Sequence, residues 1–221
     1  MKTTFPLERF EQIRTPFYYY DTNVLRATLQ VIKDEMRALQ NCVVHYAIKA
    51  NANPKLLPII SSYGLGADCV SGGEIEVALK TGFPADKIVF AGVGKADWEI
   101  NLALDNNIFC FNVESLPELE VINELAGAKG KVARVAFRIN PDVGAHTHAN
   151  ITTGLAENKF GINMVDMEGI IARVKALDHV DFVGLHFHIG SQILDLDADF
   201  LPLCERINDL QDQLEKGYPC G

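Results

Sequence analysis

Short, nearly all-apolar runs alternate along the chain with longer stretches in which apolar residues recur at helical spacing. The runs are VVHYAIKA, LGADCVS, KIVFAGV, IFCFNV, RVAFRIN and DFVGLHFHIG. Between them lie NPKLLPIISSYG, GGEIEVALKTG, ADWEINLALDNN, SLPELEVINELAG and VDMEGIIARVKAL. Runs without a polar face, each followed by a helix, predict a parallel sheet covered by helices. A repeat of roughly 20–25 residues suits either a (β/α)8 barrel or an open doubly wound sheet. No G-x-G-x-x-G follows the first run, so the dinucleotide-binding version loses ground and the barrel is favoured.

Local signals support the helices. Asn53 followed by Pro54 reads as an N-cap with a first-turn proline, and Gly64 and Gly82 suit helix C-terminal positions. Ser71 with Glu74, and Ser115 with Glu118, both fit the S-x-x-E capping box. An extended stretch, TPFYYYD, and a helix from about Thr22 to Gln40 precede the first barrel strand.

Two features break the regularity. The connection after RVAFRIN is long and polar, PDVGAHTHANITTGLAENKFGIN. On a barrel such a loop is a lid or binding segment, because strand C-terminal ends carry the chemistry. At the other irregularity, a last helix from about Asp199 to Lys216 stops at Gly217, and YPCG follows where a seventh strand is due. About six strands of eight leave a barrel open with two unpaired edges. The expectation is therefore the N-terminal part of a longer protein.

Composition narrows the partners. The 221 residues are 48% hydrophobic and 22% charged, with a net charge of -9. Without a basic block, nucleic acid is not an expected partner. No apolar run approaches a membrane span, and MKTTFPLERF has no signal-peptide core. Five cysteines without a C-x-x-C pair suggest reduced thiols in a cytoplasm.

Candidate chemistry begins at Lys49, an ammonium at the end of an apolar strand. Alternation would put Ala47 and His45 on its face and leave space beside the amine. Asp68 ends the second strand and Arg138 the fifth. His186 and His188 would share a face of the sixth, ahead of Gly190 and Ser191. These residues gather at the end where barrel enzymes work. Each also has a plain structural reading. Lys49 can snorkel, Asp68 can cap, Arg138 can pair with a carboxylate, and the histidines can be satisfied core residues. Glu74 and Glu118 are assigned to capping alone. A desolvated lysine favours its neutral form, and neutral amines form Schiff bases with carbonyl compounds.

YAIKAN (Tyr46 to Asn51) resembles the cofactor-lysine motif of barrel-type pyridoxal-phosphate decarboxylases, the group of ornithine, arginine and diaminopimelate decarboxylases. ADCVSGGE (Ala67 to Glu74) and GLHFHIGSQI (Gly184 to Ile193) match the same family in the same order. The segment from Arg138 to Ile162 is similar to the diaminopimelate branch and unlike the ornithine branch. The resemblance runs from about Thr15 onward. It implies an α/β fold, a (β/α)8 TIM-type barrel of the alanine-racemase-like kind with about six of eight strands present. Residues 1–30 would be an N-terminal segment pairing in part with an absent β-domain, and 31–221 an incomplete pyridoxal-phosphate-binding barrel.

The resemblance further implies that Lys49 bonds to the cofactor aldehyde and returns a proton after decarboxylation. His188 would stack on the pyridine ring, Ser191 would bind the cofactor phosphate, and Ala47, Asp68 and Arg138 would line the pocket. The implied reaction converts meso-diaminopimelate to L-lysine in a cytoplasmic homodimer. The family's glycine-rich phosphate loop, its glutamate for the pyridine nitrogen and its C-terminal β-domain have no match within residues 1–221.

A related basic amino-acid decarboxylase of the ornithine or arginine type is an alternative within the family, and two other classes stay open. His146-Thr-His148 and His186-Phe-His188 are H-x-H pairs able to ligate zinc, the pattern of a metal-dependent barrel hydrolase. A barrel that holds pyridoxal phosphate without decarboxylating anything is the non-catalytic alternative.

Overall fold

The structure is a computed structural model that describes residues 5–39, 41–140, 161–162, 167–191 and 193–217, except the side chains of 167–168 and 213–217. The long polar connection, with His146 and His148, lies almost wholly outside the described residues, as do Gln192 and the YPCG end. Six parallel strands follow one another in chain order within the sheet. They alternate with helices, as the apolar runs predict, and the fold class is α/β. By contact density the chain divides into two compact units, Met1–Ile88 and Val89–Gly221.

The first unit holds α1 (Leu7–Phe10), α2 (Thr22–Met36), β1 (His45–Ala47), α3 (Leu57–Ser61), β2 (Gly66–Cys69) and α4 (Gly72–Lys80). Asp21 caps α2 by accepting from the amides of Asn23 and Val24. The helix ends four residues earlier than its pattern suggests. Its last turn tightens into i to i+3 bonds at Arg37, Ala38 and Leu39. Likewise α3 starts later than Asn53-Pro54 implies. Asn53 accepts from the Lys55 amide in a turn, and regular helix begins only at Leu57. TPFYYYD is in no strand of the described chain.

Strands β1 and β2 pair in parallel, His45 opposite Gly66 and Ala47 opposite Asp68. Ile48, Leu57, Ala67 and Ile75, all fully buried, form the core behind them. Gly66 packs directly under the His45 ring. A Cβ there would lie 2.5 Å from the Lys87 carbonyl oxygen and closer still to the imidazole. Backbone cannot yield as a flexible side chain does, so Gly66→Ala is expected to cost about 2–3 kcal/mol in urea unfolding. A cost under about 0.5 kcal/mol would show that the strand shifts freely.

The second unit holds β3, which begins at the boundary (Ile88–Phe90), α5 (Asp97–Asp105), β4 (Cys110–Val113), α6 (Leu116–Ala128), β5 (Ala133–Arg138), α7 (Met167–Val174), β6 (Val180–His186) and α8 (Leu196–Gly217). All four residues of β4 are buried, as expected of a parallel strand covered on both faces. Phe90 and Phe111 meet with centroids 6.1 Å apart, and Phe137 stacks on Phe182 at 5.4 Å. A bulge opposite the Val135–Ala136 step shifts the β5–β6 register, so that Arg138 ends opposite His186. Beyond β5, Ile162 bridges to Ile139, its amide donating to the Arg138 carbonyl at 2.8 Å. Gly161 permits this approach. Its φ is +90°, and a Cβ would stand 3.0 Å from that same carbonyl oxygen.

Both capping boxes form with a one-residue displacement. Ser71 accepts from the Glu74 amide and Ser115 from the Glu118 amide, as the pattern requires. The returning carboxylates, however, bind the amides of Val70 and Glu114, one residue before each cap. Each glutamate thereby fastens a helix N-terminus to the strand end that feeds it.

Candidate active site

In the first unit, β1 stops at Ala47, and Lys49 sits in a single 3-10 turn, Ile48–Ala50. Strand alternation therefore does not set its direction. The buried member of the turn is Ile48, whereas Lys49 is exposed. Among the described residues Lys49 stays exposed, because the turn spends its one buried position on isoleucine. Two motif neighbours lock the turn instead. The Tyr46 hydroxyl donates to the Asn51 carbonyl at 3.2 Å, and the Asn51 amide group donates to the Tyr20 hydroxyl at 3.2 Å. Asp68 is half-buried opposite Ala47. Burial raises its pKa, the nearby Lys49 charge opposes that, and Glu74 adds to it. Lys49, Ala47 and Asp68 thus lie together at strand C-terminal ends.

In the second unit, Arg138 is the last residue of β5 and is 8% exposed. Its Nη1 donates to both oxygens of Glu114, at 3.1 and 3.2 Å, and Glu114 itself is 6% exposed. The plain reading of Arg138 as a carboxylate partner is realised. His186 ends β6, but His188 and Ser191 lie past the strand, so the two histidines do not share a strand face. Strand pairing ends at the Ile139 amide, which donates to the His186 carbonyl. His188 is half-buried and Ser191 exposed.

Sequence reasoning missed Glu114, and also Lys95, whose ammonium is buried against Glu118. Both follow apolar strands, in FNVE and VFAGVGK. The signal that singled out Lys49, a charge just past a strand, would have found them.

His186 is held neutral. Burial first, then the charges of Arg138, His188 and Lys95, push its pKa down to about 4. Its Nδ1 is buried with no hydrogen-bond partner among the described residues. Burial, aided by Lys87, also lowers His45. Since both folded values lie below the unfolded value of about 6.5, the unfolded chain takes up protons first as pH falls. Stability contributed by these groups is full above about pH 6.5 and declines as pH falls, for His186 down to about pH 4 and by on the order of 3 kcal/mol. Asp68 and Glu118, whose pKa values burial raises, act in the opposite sense in acid. Urea titrations of parent and His186→Phe at pH 7 and 4.5 isolate the histidine. The parent should lose more stability between the two pH values than the variant, and equal losses would contradict a neutral buried imidazole.

Cys69 and Cys110 are buried free thiols, and Cys42 and Cys204 are exposed free thiols. Among the described residues no cluster of three metal-ligating side chains occurs, and no helix is long and apolar enough to cross a membrane.

These elements match a known family. Residues 25–220 fit the model of the pyridoxal-dependent decarboxylases, pyridoxal binding domain, and the chain belongs to that family. Its cofactor is pyridoxal phosphate. The diaminopimelate decarboxylase of Bacteroides thetaiotaomicron is 67% identical over 97% of this chain and 55% of its own length. That of Aquifex aeolicus is 42% identical over 92% of this chain and 48% of its own length. The crystal structure of diaminopimelate decarboxylase from Helicobacter pylori complexed with L-lysine superposes with a TM-score of 0.86 at 40% identity. It covers 94% of this chain and 52% of that one. The chain spans about half the length of the relatives it matches.

The donor chemistry suits the cofactor. The first unit offers an accessible primary amine for an aldehyde, with a carboxylate beside it.

Proposed function

We propose that this chain is the N-terminal part of a pyridoxal-phosphate-dependent carboxy-lyase that converts meso-diaminopimelate to L-lysine. The observation carrying the reading is the exposed Lys49 amine beside Asp68 at the C-terminal ends of β1 and β2. The diaminopimelate decarboxylases among its relatives support the choice of substrate over ornithine or arginine.

When bound, pyridoxal phosphate supplies an electron sink for the charge left by departing CO2. Lys49 would hold the cofactor by its side-chain amine, and its Nζ would deliver a proton to the substrate carbon once CO2 has left. Asp68 and Ala47 would flank that amine, and Arg138, at the end of β5, would also contribute to binding the cofactor. His188 would help hold the cofactor and limit water, which strengthens the electrostatics of the site. Ser191 binds the phosphate through its hydroxyl. Residues 1–30 form an N-terminal segment that pairs in part with a β-domain of the longer protein, and 31–221 form an incomplete pyridoxal-phosphate-binding barrel. The exposure of Tyr18, at 89%, supports a partner for TPFYYYD. The full-length enzyme acts as a homodimer in the cytoplasm.

Borohydride reduction of the full-length protein with pyridoxal phosphate, followed by peptide mapping, should fix the cofactor to Lys49. Labelling at another lysine refutes the assignment. Release of CO2 from meso-diaminopimelate, and not from ornithine or arginine, is the expected substrate profile.

A further inference from the structure

Lys95 lies five residues past β3, and its side chain is only 1% exposed. Its ammonium donates to the Gly92 carbonyl at 2.7 Å, the Asn112 carbonyl at 2.9 Å and Glu118 Oε1. Three acceptors use all three of its N–H groups. Nζ also stands 5.3 Å from the Phe90 ring centroid. The second oxygen of Glu118 accepts from the Glu114 amide at 2.8 Å. Glu114 in turn binds Arg138 through both carboxylate oxygens and takes the Gly92 amide at 3.2 Å.

The chain of contacts closes on itself at Gly92. That residue gives its carbonyl to Lys95 and its amide to Glu114. Its φ of +107° turns the two groups to different partners, a backbone state that glycine adopts without strain. The ring ties together the ends of β3, β4 and β5 and the first turn of α6.

Stability alone is a poor reason for such a ring, since buried ion pairs replaced by apolar residues of similar volume are often no less stable. What the ring does provide is a fixed Glu114, and through it a fixed guanidinium. We propose that Lys95 is a positioning residue, acting through Glu118 and Glu114 to hold Arg138 in place for the cofactor. This rests on the reading that Arg138 lines the cofactor site.

The test titrates pyridoxal phosphate into the full-length apoprotein and reads Kd from the change in absorbance. Lys95→Met and Arg138→Met should each weaken binding by about tenfold or more, as outer-shell supports commonly do. The double variant should bind no more than about twofold worse than the weaker single, because both break one chain. Parental affinity in Lys95→Met, or losses that multiply in the double variant, would overturn the proposal and leave the proposed function standing. Parental affinity in Arg138→Met would instead remove Arg138 from the cofactor site and the proposal with it. If Lys95→Met does not fold, Lys95→Met with Glu118→Gln removes both charges at similar volume and carries the same expectations.

Discussion

Lys49→Ala in the full-length protein should abolish CO2 release from meso-diaminopimelate, by about a thousandfold or more, without lowering the thermal midpoint of the cofactor-free protein. The two halves of that result come from one structural fact. Lys49 is exposed in a turn whose packing is done by Ile48 and whose hydrogen bonds are made by Tyr46 and Asn51. Removing the side chain therefore takes away no core contact, and surface truncations of this kind stay within about 0.5 kcal/mol. Chemistry, by contrast, loses the amine whose charge acts on Asp68. Turnover within tenfold of the parent would mean that another group holds the cofactor. A large fall in the midpoint would mean that Lys49 is structural, the reading natural for a lone lysine at a strand end.

Glu114→Ala should destabilise the protein by about 3–5 kcal/mol in urea unfolding, the range for breaking a buried pair from one side. The Arg138 side chain is 10% exposed and that of Glu114 3% exposed, so water cannot take over the lost carboxylate. The Gly92 amide loses its acceptor in the same step. Glu114→Gln should cost less, because a carbonyl oxygen remains to accept. A loss under about 1 kcal/mol for the alanine variant would show that the guanidinium finds other partners without strain.

How much was legible in the sequence differs from one residue to the next. The six strands and the helices after them were readable because burial, complete in β4 and partial in β1 and β6, still leaves nearly pure apolar runs. The caps at Ser71 and Ser115 were readable because an N-cap acts on amides only a few residues away. Alternation failed at Lys49 and His188 for one reason. Both lie past the strand end, where backbone turns replace the two-residue period and a side chain's direction is set by local hydrogen bonds. Glu118 was assigned to capping alone, yet it also neutralises Lys95, a partner 23 residues away.

The sequence by itself determined the α/β class, the order of elements and the candidate lysine, since periodicity and capping are written in neighbouring residues. Only the tertiary structure decided that Arg138 meets Glu114, that Lys95 stands behind them, and that Lys49 is exposed. Those outcomes depend on which strand ends are brought side by side. Such proximity arises from parallel pairing of segments about 20 residues apart, beyond the reach of any local pattern.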